Sequence, residues 1–326
     1  MNNRPSRRTT RSVGVPATPH ARTCRAGEPK LCCVESLRLR DGRRLSVRRW
    51  RGQDQGTLVV LHGMLDSSEG WDALSTRVSC SILAFDLPGF GHSDAPVQSS
   101  IAGYAQDVAD GLEMLGVQRF TLVGHSLGGA VATALAELLP DKVAALVLLA
   151  PVGFGRNHLA GVASLPVARN LVQTALPWAL SSRTMVTATY LTMVTNGSPP
   201  DPMVIDRITR NRRSLVDGTR KALDAIMDAS GPKQVFSHRR VAYDGPVVAV
   251  WGDCDRLVPP SHRDGVRAAL PQAEIHLWAG MGHHPLIERF DDLAVLLANA
   301  AAPLDAREPP GRQSAAVTDL PLADAA

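Results

Sequence analysis

The sequence predicts an α/β fold: a mostly parallel, twisted sheet with helices on both faces, interrupted by a helical cap insertion. Three observations carry this. Short continuous apolar runs alternate with amphipathic segments of helical period, the pattern of strands buried on both faces. That rhythm stops between Gly153 and Val241, where only helical patterns occur, and then resumes. One apolar run ends in Gly124-His125-Ser126-Leu127-Gly128 and passes at once into an Ala- and Leu-rich segment. Strand, tight turn and helix follow one another there.

The chain of 326 residues is long enough for a large core. No stretch reaches the roughly 18 apolar residues of a membrane span. Val143–Val152 is the longest apolar run and ends in Pro151 and glycine, so it reads as a buried strand. The net charge of +4 is unevenly spread: residues 1–53 hold 14 Arg or Lys against 3 Asp or Glu, which leaves −7 for the remainder. A mildly acidic body argues against nucleic-acid binding. Five cysteines, Cys24, Cys32, Cys33, Cys80 and Cys254, show no metal-ligand spacing. An odd count without a secretory signal points to reduced thiols and a cytoplasmic location.

Residues 1–34 read as a disordered basic tail. Six arginines and no acid before Glu28 also resemble an organellar targeting segment, the minor alternative, which Pro5, Pro16 and Pro19 weaken. Glu35–Trp50 alternates apolar and polar residues about Asp41-Gly42, which predicts a hairpin with a type I′ turn and solvent-facing arginines. Thr57–Leu61 is a strand entering His62-Gly63-Met64. Ser67–Arg77 is a helix with Trp71 and Leu74 on one face. Ser81–Phe85 is the next strand and runs into the glycine-rich loop Asp86–Asp94. Ile101–Leu115 is helical, Phe120–Gly124 a strand, the segment to Leu139 a helix and Lys142–Leu149 a buried strand. In the insertion, 153–241, Ile205–Leu215 and Thr219–Met227 form two amphipathic helices. The core, 35–152 and 242–303, closes with strand Pro246–Trp251, helix Ser261–Leu270, strand Glu274–Trp278 and helix Asp291–Ala302. Residues 304–326 read as a second disordered tail.

The chemistry centres on Ser126. A strand–turn–helix with G-x-S-x-G is a nucleophile elbow, in which the turn lifts the serine hydroxyl above the sheet edge. A serine hydroxyl needs a general base, and the base an orienting acid. Asp253 and Asp255 follow one later strand, and His283 and His284 follow the next. The order Ser, Asp, His and these loops resemble the α/β-hydrolase superfamily over about Leu37–Ala302. His62-Gly63, Asp86-Leu-Pro-Gly-Phe-Gly, the elbow, Gly252-x-x-Asp255-x-x-x-Pro259 and Gly282-His283 carry the likeness.

The resemblance implies the α/β-hydrolase fold and a triad of Ser126, Asp255 and His283. It leaves Asp253 as a loop cap and His284 as a neighbour lining the pocket. It puts the two oxyanion donors on the backbone N–H groups of Met64 and Leu127. His62 and His125 are expected to orient loops, and His92 and Asp94 to serve the structure of the Asp86 loop. No Asp or Glu occurs from Ala144 to Pro200, which disfavours the family's other acid position after the fourth parallel strand.

The expected function is hydrolysis of a carboxylic ester through an acyl-enzyme on Ser126. The substrate is a small molecule with an apolar acyl group, and neither metal nor organic cofactor is needed. A first alternative is carbon–carbon bond hydrolysis of diketo acids, with Arg183, Arg207, Arg210, Arg212 or Arg213 holding the carboxylate. A second is a non-catalytic binding or accessory protein of the same fold.

Overall fold

Eight strands form one sheet in the computed structural model, which describes residues 31–301 except 55, 156–173, 176–177, 179–181, 229–230, 233–234 and 237. The strands are β1 (Leu31–Arg38), β2 (Arg44–Trp50), β3 (Thr57–Leu61), β4 (Ser81–Phe85), β5 (Phe120–His125), β6 (Val143–Leu149), β9 (Val247–Gly252) and β10 (Ala273–Trp278). Two-residue strands β7 (Met227–Asp228) and β8 (Gly231–Pro232) pair separately within the insertion, where the sequence predicts no strand. The sheet order is β1-β2-β4-β3-β5-β6-β9-β10. Only β2 runs antiparallel to its neighbours, β1 and β4; every other pairing is parallel.

Both faces of the sheet are covered, as the continuous apolar strands require. One face packs on α1 (Ile101–Met114) and α2 (Leu127–Leu138) through Tyr104, Val108, Leu112, Val131 and Leu135. The other packs on the 3₁₀ segment Ser68–Thr76 and on α7 (Phe290–Ala301) through Trp71, Leu74, Leu293 and Leu297. Ser100 opens α1 by accepting the Gly103 N–H at 3.0 Å, an N-cap that satisfies one of the free donors of the first turn. The remaining helices are α3 (Arg183–Thr189), α4 (Pro202–Ile226), α5 (Arg263–Ala269) and α6 (Pro285–Glu288).

Three local expectations are corrected. The β1–β2 connection is not a two-residue type I′ turn. Leu39 and Arg43 pair through Leu39 N–H to Arg43 O at 2.9 Å, and only Gly42 has positive φ, at 86°. A type I′ turn needs positive φ at both central residues, and Asp41 instead uses its carboxylate to accept the Arg43 N–H. The hairpin arginines do not all face solvent. Arg43 makes a forked pair to Asp107 at 2.6 and 2.7 Å, and Arg48 meets Glu69 at 3.0 Å, both largely buried. Finally, α4 is one helix of 25 residues rather than two. Gly218 does not break it. A Cβ there would sit 2.6 Å from the Gly89 carbonyl oxygen, so this glycine marks a close approach between the insertion and the core.

Candidate active site

The C-terminal ends of the parallel strands gather the candidate residues: Met64 after β3, Ser126 after β5, Asp255 after β9 and His283 after β10. That edge is where open α/β sheets place their ligands. Ser126 has φ 53° and ψ −112°, a conformation that L side chains rarely adopt. It is held from several sides. Its N–H donates to Leu149 O at 2.9 Å, and its carbonyl accepts from Gly129 and Val152 at 3.0 and 3.2 Å. The flanking glycines are steric necessities. A Cβ at Gly124 would lie 2.3 Å from Gly128 O, and one at Gly128 would lie 2.4 Å from Leu61 O. Leu127 opens α2, so its N–H belongs to the helix's first, intrahelically unpaired donors.

Asp255 and His283 are joined. His283 Nδ1 donates to Asp255 Oδ2 at 2.7 Å, with both residues 5% exposed. The other carboxylate oxygen, Oδ1, accepts the Leu257 and Val258 N–H groups, each at 2.9 Å. Three donors thus satisfy the oxygens of a buried carboxylate. Asp253, the competing acid, is exposed and accepts the Gly280 N–H at 2.8 Å, which pins the histidine loop. Glu288, which the sequence did not single out, clasps the same loop by accepting the Gly282 N–H at 2.8 Å and the His284 N–H at 3.2 Å. The His283 N–H in turn donates to Val194 O, in the insertion, at 2.7 Å.

The elbow and the histidine loop also touch directly. His125 Nε2 bonds to the His283 carbonyl at 2.9 Å, and the two rings lie 4.9 Å apart. Donation to that carbonyl puts the proton on Nε2. Burial, and then the neighbouring His283, lowers the His125 pKa to about 3, so the ring is neutral. Among the described residues the Ser126 hydroxyl has no hydrogen bond to His283; such bonds tighten when substrate binds.

His62 supports the other side. Its Nε2 accepts the Leu87 N–H at 3.0 Å, so Nδ1 carries the proton and donates to Gly63 O at 2.7 Å. That carbonyl shares a planar peptide with the Met64 N–H, so His62 fixes the direction in which the Met64 donor points. Gly63 allows the loop to approach. A Cβ there would lie 3.0 Å from His125 Nδ1 and 3.2 Å from Ser126 Cβ. His92 and Asp94 serve the Asp86 loop, where the His92 N–H donates to Asp86 Oδ2 and Asp94 pairs with Arg44.

A second buried polar group adjoins the site. His284 lies 4.7 Å from His125, ring to ring, and its Nε2 is 3.8 Å from Asp66 Oδ2. Burial, with His125, His283 and Arg207 nearby, holds it well below the usual imidazole range. Asp66 pairs with Arg207 of α4 at 2.9 Å. Of the cationic candidates, Arg207 therefore reaches the site, whereas Arg183 and Arg210 pair at the surface with Asp206 and Glu69. The side chains of Arg212 and Arg213 lie outside those described. Asp66 itself was missed because a lone aspartate in a loop carries no sequence signal.

Known proteins agree with this architecture. An uncharacterized protein of Mycobacterium tuberculosis is 29% identical over 275 residues, covering 81% of this chain and 79% of its own. A 2-hydroxy-6-oxononadienedioate/2-hydroxy-6-oxononatrienedioate hydrolase of Klebsiella pneumoniae is 26% identical, covering 77% and 88%. The structure of a thermophilic esterase from Thermogutta terrifontis superposes with a TM-score of 0.59 at 19% identity, covering 83% and 100%. Among the described residues no helix is long and apolar enough to cross a membrane. Residues 56–290 match the family model of the alpha/beta hydrolase fold, and with the elbow and strand order above the chain belongs to that family.

Proposed function

We propose that this protein is a serine hydrolase that cleaves carboxylic esters through an acyl-enzyme on Ser126. The observation that carries the proposal is the buried Asp255–His283 hydrogen bond of 2.7 Å, set beside a serine held in an elbow. Asp255 keeps the His283 proton on Nδ1, which leaves Nε2 free as a base. Ser126 Oγ attacks the acyl carbonyl carbon while its proton passes to His283 Nε2. The oxyanion is received by the N–H groups of Met64 and Leu127. Collapse expels the alkoxide, which takes the proton from His283. Water then repeats the cycle and releases the acid.

The described part of 153–241, which brings Val194 and Arg207 to this edge, fits the role of a cap. The second reading, carbon–carbon bond hydrolysis of a diketo acid, draws support from buried Arg207 beside His284 and from the Klebsiella relative's activity. Against it, Arg207 already faces Asp66, so an incoming carboxylate would have to displace a buried partner. A neutral ester avoids that cost.

The test is a panel of p-nitrophenyl esters of graded acyl length, together with a diketo acid, on wild type and Ser126→Ala. Wild type is expected to turn over short esters, and the alanine variant to lose at least ~10⁴-fold in kcat. Retained activity in Ser126→Ala refutes the assignment. Turnover confined to the diketo acid selects the second reading. A folded protein that neither turns over nor labels with a fluorophosphonate is a binding protein.

A further inference from the structure

Leu65 stands between the candidate oxyanion donor Met64 and the buried Asp66, and it has φ 62°, in the left-handed region. A leucine held there is strained and stays only when its surroundings over-determine it. On the N-terminal side the restraint is the His62–Gly63 hydrogen bond. On the C-terminal side it is Asp66. One oxygen of Asp66 accepts the Ser67 N–H at 2.8 Å and meets Arg207 Nη2 at 2.9 Å. Gly70 closes in on the same carboxylate, since a Cβ there would lie 2.5 Å from Asp66 Oδ2.

Arg207 comes from α4, in the insertion, and its side chain is only 14% exposed. It also donates to the Glu69 carbonyl at 3.3 Å. One helical turn on, Arg210 and Asn211 reach the Glu69 carboxylate at 3.2 and 3.5 Å, and Arg48 of β2 holds its other oxygen at 3.0 Å. The contacts of α4 with this segment therefore converge on Asp66 and Glu69, directly after the strained residue.

We propose that Arg207 is a positioning residue for the oxyanion hole: through Asp66 it holds Leu65 left-handed and thereby aims the Met64 N–H at the acyl oxygen. The inference rests on the ester-hydrolase reading for its kinetic consequence but not for its structural one. Without Arg207 the Leu65 strain is no longer opposed from that side, and the Leu65 backbone relaxes towards ordinary φ. The Met64 donor then turns away while the nucleophile, base and acid stay in place. Misplacement of a catalytic donor by about 1 Å costs up to about 10²-fold in rate.

The test compares wild type, Arg207→Met and Asp66→Asn/Arg207→Met. The double variant guards against unfolding by an unpaired buried carboxylate. With a neutral p-nitrophenyl ester, kcat should fall about 10- to 100-fold in both variants, with KM within about threefold of wild type. Adding Leu65→Gly should restore kcat several-fold, because glycine adopts positive φ without strain. A pair that only stabilises the fold would show no such rescue.

Hydrogen–deuterium exchange of the peptide spanning residues 60–70 reads the same loop without turnover, and it should quicken several-fold in both variants while α2 is unchanged. Unchanged exchange overturns the proposal. So does a kcat within threefold of wild type in the folded variants, a loss confined to KM, or a kcat loss that Leu65→Gly leaves untouched. A wild type inert towards esters and the fluorophosphonate, with a loop that still loosens in both variants, defeats the hydrolase reading and leaves the structural part of this one standing.

Discussion

Replacing Asp255 by asparagine tests the site at the level of a single proton. The substitution keeps size and shape, so the outcome depends on which way the new amide faces. Oδ1 of Asp255 accepts two backbone N–H groups, from Leu257 and Val258, each at 2.9 Å. An asparagine NH₂ turned towards them would leave both donors unmatched, at about 1–3 kcal/mol each. Its oxygen must therefore stay there, and the NH₂ must face His283 Nδ1, where Asp255 Oδ2 now accepts at 2.7 Å. A donor at that place forces Nδ1 to become the acceptor, and the ring proton moves to Nε2. The nitrogen that should take the Ser126 proton is then already protonated. The expected loss is about 10⁴-fold in kcat, about 5.5 kcal/mol at about 1.36 kcal/mol per factor of ten. Because every polar contact is still matched, the melting temperature should barely move.

The assay is steady-state hydrolysis of p-nitrophenyl butyrate, with Asp253→Asn as the control. Asp253 accepts the Gly280 N–H at 2.8 Å and bonds the Cys254 thiol, and neither contact involves His283, so its kcat should remain within about threefold of wild type. An Asp255→Asn enzyme that keeps more than a tenth of wild-type kcat, or an Asp253→Asn enzyme that loses more than Asp255→Asn, refutes the reasoning.

Two further outcomes concern stability. Gly218→Ala should lower the melting temperature, although alanine ordinarily stabilises a helix interior by about 1 kcal/mol over glycine. Its Cβ would lie 2.6 Å from Gly89 O and 2.7 Å from the Phe90 ring, which is fully buried; a rise would show that α4 does not pack on the core as described. Burial lowers the pKa of His62, His125 and His284, that of His125 to about 3. Such rings are neutral when folded, so below about pH 6.5 the unfolded chain takes up protons first. Stability is complete above that pH and declines towards about pH 3. Thermal melts should fall from about pH 6.5 to about pH 5, and less steeply in His125→Gln, which can still donate to the His283 carbonyl; equal slopes would remove His125 as a cause.

What could be read in advance was whatever is local. The strands β3–β6 and β9 are largely apolar runs and β10 alternates apolar with polar residues, and the structure places all of them within a residue or two of expectation. The serine of the elbow, and the acids and histidines after β9 and β10, were legible because each follows a strand in a short glycine-bearing loop. Choosing Asp255 over Asp253 needed the family spacing; in the structure it is Asp255 that bonds His283, while Asp253 bonds Gly280. Contacts between distant segments were illegible. Nothing local distinguishes Arg43 or Arg48, both largely buried in ion pairs, from the more exposed Arg40 and Arg44. The helices expected at Ile205–Leu215 and Thr219–Met227 are one, and the reason Gly218 stands inside it, the close approach to Gly89, lies far away in the sequence. Asp66, Glu69 and Glu288 owe their importance to backbone groups and guanidiniums that only folding brings to them.

The seat of His283 is shared between two parts of the chain. Val194 O accepts the His283 N–H, Glu288 bonds both Gly282 and Asn196, and a Cβ at Gly282 would strike Val194 O at 2.8 Å. A graft that swapped residues 153–241 for a foreign segment would thus disturb the seat of the His283 imidazole. Engineers seeking new specificity should keep Val194–Asn196, Arg207 and Gly218 native, because each of them touches the core.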